Sequence, residues 1–275
     1  VYTGCMDSLA CNFNPLASVD DGSCILGNCV NNITQNTFYT TIQSAIDSSN
    51  VGDTNIVYNG TYLENVDFLG KNIVVASRFF IDSDTSHISN TIIDGGSSGP
   101  SVHFSNNEDS CHLVGFKIIN GWCGVSFSNL NPSNIGPFLT NLIFTNNGTQ
   151  YQGTAIYSGG CSHNSSFVVD QCEFYNNSGQ YVIYTCNINN SNNARFNRIK
   201  NSRFYNNNVT EAILLFNGEN SEMTNCVITD NTAHAAIEYY NGSLGHDLIN
   251  TTISNNQSLA LSVQNNGQTV NCLLY

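Results

Sequence analysis

The sequence predicts an all-β solenoid of parallel strands, three to a coil, entered through a short helix and preceded by a small Cys-rich module. Three observations carry the prediction. Phrases such as "QCEFYNN", "NSRFYNN" and "NCVITDN" recur along the chain, and the columns they form alternate apolar and polar residues. Asn, at 45 of 275 residues, takes the place that charge usually holds among the polar residues. Asn is a poor helix-interior residue that tolerates tight turns and the left-handed backbone region, so many turns and short strands are expected. Repetition on a scale of roughly 20–50 residues points to stacked units that bury a shared core.

The first element is residues 1–31, "GCMDSLACNFNPLASVDDGSC" and its flanks, which show no hydrophobic periodicity. A unit this small needs disulfides or a metal to hold it. Cys5, Cys11, Cys24 and Cys29 supply the thiols, in any of three pairings. Asp7, Asn12, Asn14, Asp20 and Asp21 are hard oxygen ligands of the kind Ca²⁺ prefers, which makes calcium the candidate cofactor. The plainer alternative is that "DDG" is a turn with a solvated acidic pair. Eleven Cys in all favour an oxidising, extracellular compartment, and the odd number leaves at least one thiol unpaired within the chain.

The second region is 32–275. Ile42, Ala45 and Ile46 fall on one helical face, which predicts a helix over about 40–49, stopped by "GD" at 52–53. Short strands follow in "TNIVYNG", "ENVDF" and "NIVVAS". From about residue 92 the repeat takes over, with corner pairs at 120–121, 146–147, 176–177, 206–207, 230–231 and 255–256, spaced by 26, 30, 30, 24 and 25 residues. Two places before each pair stand Ile118, Phe144, Phe174, Phe204, Ile228 and Ile253. Four places before stand Phe116, Leu142, Cys172, Ser202, Cys226 and Thr251. Alternate residues share a strand face, so both columns point inward, while Lys117, Ile143, Glu173, Arg203, Val227 and Thr252 point out. A second strand aligns Ile183, Ile213, Ile237 and Leu261, each followed by Asn187, Asn217, Asn241 and Asn265. A third ends at Asn141, Gln171, Asn201, Asn225, Asn250 and Asn271, read as interior Asn at a bend. Stacked Asn can bond to backbone and to the Asn of the next coil, satisfying turn groups otherwise buried unpaired. Cys272 and Leu274 continue the columns, so coils are expected past Tyr275, or an edge covered by another copy of the chain.

Two resemblances follow from these residues. The pattern GC-x-D-x-x-ACN-x-x-P-x-A-x-x-DDGSC resembles the Cys-rich modules of secreted and surface proteins from marine Bacteroidota and other marine microbes. That resemblance implies a calcium-associated spacer in an extracellular setting. Residues 38–77 resemble the entry segment of right-handed parallel β-helix proteins of the pectin-lyase-like class, whose helix caps the first coil. The resemblance implies the hand of the solenoid.

A formal charge of -13, from 7 Lys+Arg against 20 Asp+Glu, argues against nucleic acid or anionic lipid as partner. No apolar run reaches the length of a membrane span. The basic cluster Arg195, Arg198, Lys200 and Arg203 contains "RIK", which resembles a substrate-binding motif of polygalacturonases; the companion motifs of that family are missing, and a solvated face paired with Glu173 or Glu222 explains it. Six scattered His lack metal-ligand spacing. Cys172, Cys226 and Cys272 read as small hydrophobes in a stack, and Cys161 and Cys186 as further disulfide candidates. Trp122, Tyr175 and Tyr205 are the candidate carbohydrate contacts. The expected role is a non-catalytic extracellular structural or adhesive solenoid, part of a larger surface protein, adhesin or filament, with polysaccharide or a second copy as partner. The alternatives are a polysaccharide lyase or glycoside hydrolase, and a viral or phage spike.

Overall fold

A strand of three or four residues cannot bury a face alone, and the chain solves this by stacking each strand on its counterpart one turn later. The computed structural model describes residues 1–106, 108, 110–128, 136–148, 153–158, 166–186, 197–217, 221–240 and 247–263. Over those residues it is mostly β, with three long parallel sheets that the chain visits in rotation. The first sheet holds Thr54–Val57, Val74–Ser77, His112–Val114, Phe138–Thr140, Val168–Asp170, Asn197–Lys200, Ser221–Thr224 and Asp247–Ile249. The second runs from Gly60–Leu63 to Thr252–Ser254, and the third from Val66–Asp67 to Gln257–Val263. Coils therefore begin at Thr54, well before the Asn pairs make the repeat visible. The insertion carrying α2 (Phe79–Asp82) and α3 (Ser86–Asn90) obscures the early coils in the sequence.

Register is in step across the second sheet, where Phe144 pairs with Phe174 and Phe174 with Phe204. Their rings stack inside the solenoid at 4.8 and 4.5 Å, within 3° of parallel. Both inward columns read from the sequence are buried, from Phe116 to Thr251 and from Ile118 to Ile253. Cys172 and Cys226 sit in that interior, each thiol donating to backbone carbonyls and pushed up to about 12 by burial, so neither is a nucleophile.

The bends share one construction. A residue in the left-handed region, φ 49–56°, stands outside, and the next residue points in. At the corner before the third sheet the outer residues are Asn120, Asn146, Asn176, Asn206, Asp230 and Asn255, and of the inner ones Asn147, Asn177, Asn207 and Asn231 form a buried ladder. Asn177 is typical: its amide donates to Phe144 O and Asn207 Oδ1, and its Oδ1 accepts from the backbone and side-chain N–H of Asn147. Asn207 and Asn231 repeat these bonds one coil on. At the other bend, Asn141, Gln171, Asn201, Asn225 and Asn250 are the outer residues, which corrects the expectation that they are interior. Asn201, Asn225 and Asn250 are exposed and link side chain to side chain along the surface. The left-handed residue carries its side chain to the convex side of the bend, so only the residue after it can face the core.

The third-sheet register differs from expectation by one residue. Ile183 pairs with Leu214, not Ile213, because a bulge between Gly179 and Tyr181 takes up an extra residue of the facing strand. Asn217 is consequently the register partner of Cys186 and Tyr240. Asn187, Asn241, Asn265, Asn271, Cys161 and Cys272 lie outside the described residues, as does the side chain of Cys186.

At the entry, α1 (Ile42–Ser48) packs Ile42, Ala45 and Ile46 onto the first coil, close to the helix read from the sequence. The coil grips both ends of the helix. Glu64 accepts from Ile42 N and Gln43 N, and Lys71 Nζ donates to Ile46 O and Asp47 O, each charge matching the helix dipole end it meets. Glu64→Ala is expected to cost about 1–2 kcal/mol, read as a lower urea midpoint. Below the helix, Asp53 accepts from Asn32, Asn50 N and Gln35. Burial raises its pKa, but these bonds and the charge of Lys71 outweigh burial and hold the carboxyl below its usual range. A depressed native pKa stabilises the fold above the unfolded value near 4 and is lost as pH falls through the native one. The stability gap between the native protein and Asp53→Asn is therefore expected to close as urea melts are run from pH 7 towards pH 3.

Two disulfides, Cys5–Cys24 and Cys11–Cys29, hold the N-terminal module. Tyr62 joins it to the first coil, accepting from Cys29 N and donating to Cys29 O. The strand Val30–Asn32, running across the 31/32 boundary, pairs antiparallel with Thr37–Tyr39 and Thr54–Val57 and covers the outer edge of the first sheet.

Candidate functional site

On the outer face of the third sheet, cross-strand register sets His103, Ser126 and Tyr157 in one row. Strand spacing of about 4.8 Å brings such neighbours into contact range. Together with Pro100, Trp122 and Ser128 they line a cleft of about 350 Å³. Trp122 projects from a distorted corner. Gly121 occupies the position of the later ladder Asn, and a Cβ there would lie 2.1 Å from Cys123 O. The indole is fixed by its N–H, which donates to Ser97 O at 2.8 Å.

His103 is held from both sides. Its Nδ1 faces Ser126 Oγ, and its Nε2 lies 3.2 Å from Ser128 Oγ. A neutral imidazole has one donor and one acceptor, so one serine donates to the ring and the other accepts from it. Cys123, also in the wall, is buried and its thiol is pushed up to about 12 by desolvation, so it is inert as a nucleophile. None of the described lining residues is Lys, Arg, Asp or Glu. The described lining thus offers aromatic faces, hydroxyls and one imidazole, and the carboxylate of Asp67, the cross-strand partner of His103, continues the row beyond it.

Of the three aromatic candidates, only Trp122 lies in this cleft. Tyr175 and Tyr205 stack at 5.1 Å on the outer face of the second sheet. Tyr205 donates to Glu173 at 3.1 Å and lies under the Arg203 guanidinium at 5.5 Å. The basic cluster is split: on the first sheet Arg198 meets Glu222 at 3.6 Å and Lys200 meets Asp170 at 3.4 Å, Arg203 is on the second sheet, and Arg195 lies outside the described residues. The pairing of Arg198 with Glu222 matches the solvated-face reading.

In the module, four of the five candidate calcium ligands make local turns and the fifth, Asn12, bridges to a distant segment. Asp7, Asn14, Asp20 and Asp21 each accept from the backbone N–H two residues on, and Asn12 accepts from Ile25 N. Among the described residues no three His, Cys, Asp or Glu side chains gather as a metal site. His163 and His246 lie outside the described residues. His87 bonds Asn59 and Asp82, and His112 stacks on Phe138 at 4.6 Å.

His103, Ser126, Ser128 and Tyr157 were missed in the sequence. "VHF", "VSFS" and "AIYS" do place these residues in shared columns, but only once the third-sheet register is known, and its strands lack the regular Asn spacing that aligned the others.

No family model matches the chain, and no curated protein matches it. Among solved structures the chain is similar to an alginate lyase from Paenibacillus sp., at 13% identity and a TM-score of 0.41, over 84% of this chain and 96% of that one. Likeness at that level does not bear on what this chain does.

Proposed function

We propose that the chain is a secreted, right-handed parallel β-helix that binds neutral polysaccharide through the Trp122–Tyr157 cleft and serves a structural or adhesive role at a cell surface or in a filament. The observation that carries this reading is the aromatic-flanked cleft, whose described lining residues carry hydroxyls and an imidazole but no Lys, Arg, Asp or Glu. Apolar sugar faces pack on aromatic rings, while sugar hydroxyls exchange hydrogen bonds with imidazole and serine. A chain of formal charge -13 repels polyanions, and the described lining residues of the cleft include no Lys or Arg. The two disulfides are compatible with an extracellular protein, and no helix among the described residues is long and apolar enough to cross a membrane. Calorimetric titration with neutral and acidic glycans tests the reading. Trp122→Ala is expected to weaken neutral-glycan binding at least about tenfold, and Tyr205→Ala to leave it unchanged. Preference for an acidic glycan, lost on Arg198→Ala, would overturn it.

A second reading, cleavage of the glycan backbone by a lyase or hydrolase mechanism, is favoured by the placement of His103, a group able to take up a proton in the cleft. It predicts release of unsaturated or reducing ends that stops on His103→Ala. A spike role predicts a trimeric mass in solution. Calcium at Asp7, Asn12, Asn14, Asp20 and Asp21 is a separate proposal, supported by their oxygen chemistry. It requires saturable Ca²⁺ binding that Asp20→Asn with Asp21→Asn abolishes.

A further inference from the structure

We propose that Ser128 and His103 form a nucleophile–base pair that removes O-acyl groups from a polysaccharide held in the cleft. The proposal rests on the glycan-binding reading and adds a reaction to it. Its basis is one imidazole with a hydroxyl at each nitrogen, inside a cleft walled by apolar side chains. The two serines are not equivalent. Ser126 is buried, whereas Ser128 is half-buried at the end of its strand, fixed by its backbone N–H to Phe104 O at 2.8 Å. A base bonded to a nucleophile on one side and oriented on the other is the general arrangement of activated serine. Ser126 is therefore the positioning residue: accepting from Nδ1–H, it leaves Nε2 unprotonated toward Ser128.

The step balances without a metal or redox partner. Ser128 Oγ attacks the ester carbonyl carbon as its proton passes to His103 Nε2. The tetrahedral intermediate collapses with cleavage of the bond between the carbonyl carbon and the sugar oxygen, and His103 returns the proton to that oxygen. Water, deprotonated by His103, then attacks the acyl-serine and releases the carboxylic acid. Pro100 and Trp122 supply apolar contact for a short acyl chain.

The test uses the whole chain with acetylated xylan, a neutral O-acetylated glycan, and a fluorophosphonate label mapped by mass spectrometry. Acetate release and a label on Ser128 are expected. Ser128→Ala and His103→Gln should each lower release at least about 100-fold with the urea midpoint retained. Ser126→Ala should lower kcat with KM unchanged, and Ser126→Thr should restore it. Wild-type protein that binds the glycan but neither releases acetate nor takes the label overturns the deacylation and leaves the binding reading standing. Release from 4-nitrophenyl acetate through Ser128, with no glycan bound, overturns the binding reading instead.

Discussion

Asn177→Leu is expected to lower the unfolding free energy by about 3–5 kcal/mol, among the largest effects of any single substitution in this chain. The side chain is buried and uses its whole amide. The backbone and side-chain N–H groups of Asn147 lose their acceptor, and the carbonyls of Phe144 and Tyr175 lose a donor. Each group left unpaired inside the protein costs about 1–3 kcal/mol, and the costs do not simply add because the coils can relax. Leucine is similar in size, so little of the loss is cavity. The matched control is Asn201→Gly at the other bend, where the side chain is exposed and glycine accepts the left-handed backbone at φ 52°. That change is expected to cost less than about 1 kcal/mol. Urea denaturation of both variants decides the matter; equal losses would mean that the inner ladder holds no special place.

Ile46→Asp is expected to have a comparable thermodynamic effect and a second, visible one. Ile46 is fully buried where α1 meets the first coil, against the same core as Val57, Tyr62 and Val66. An aspartate there forfeits apolar burial and carries a carboxylate into a dry interface, at a cost of about 4 kcal/mol or more. Loosening the helix also uncovers the end of the solenoid, where unpaired strand edges invite another chain. Melting is expected to drop, and size-exclusion chromatography at rising concentration should show higher-order species absent from the native protein. A variant that melts normally and stays the same size would show that α1 decorates the first coil rather than closing it.

These two substitutions probe the parts of the fold that were most legible in the sequence. Ile42, Ala45 and Ile46 announced one helical face because the period of an α-helix needs no partner to be recognised. The columns ending in Phe174 and Phe204 were legible because a parallel stack repeats its side chains at each coil, so aligning the Asn pairs aligns the core. The third sheet was less legible. Its strands reach ten residues, and bulges shift the pairing, so Ile213 was read where Leu214 stands. The pairing of the four module cysteines was beyond the sequence, since every pairing closes a short loop and only the folded path selects Cys5 with Cys24 and Cys11 with Cys29.

The sequence by itself determined that the chain stacks short parallel strands, where it turns, and which alternate residues face inward. Periodicity and the backbone tolerance of Asn are local properties, repeated until they leave few alternatives. Only the tertiary structure decided which Asn of each bend is buried, because the left-handed residue throws its own side chain outward and commits its neighbour to the core. Only the tertiary structure, too, brought His103, Ser126, Ser128 and Trp122 to one cleft. They come from two coils whose register depends on pairing between distant segments, and no local pattern records which side chains that pairing makes neighbours.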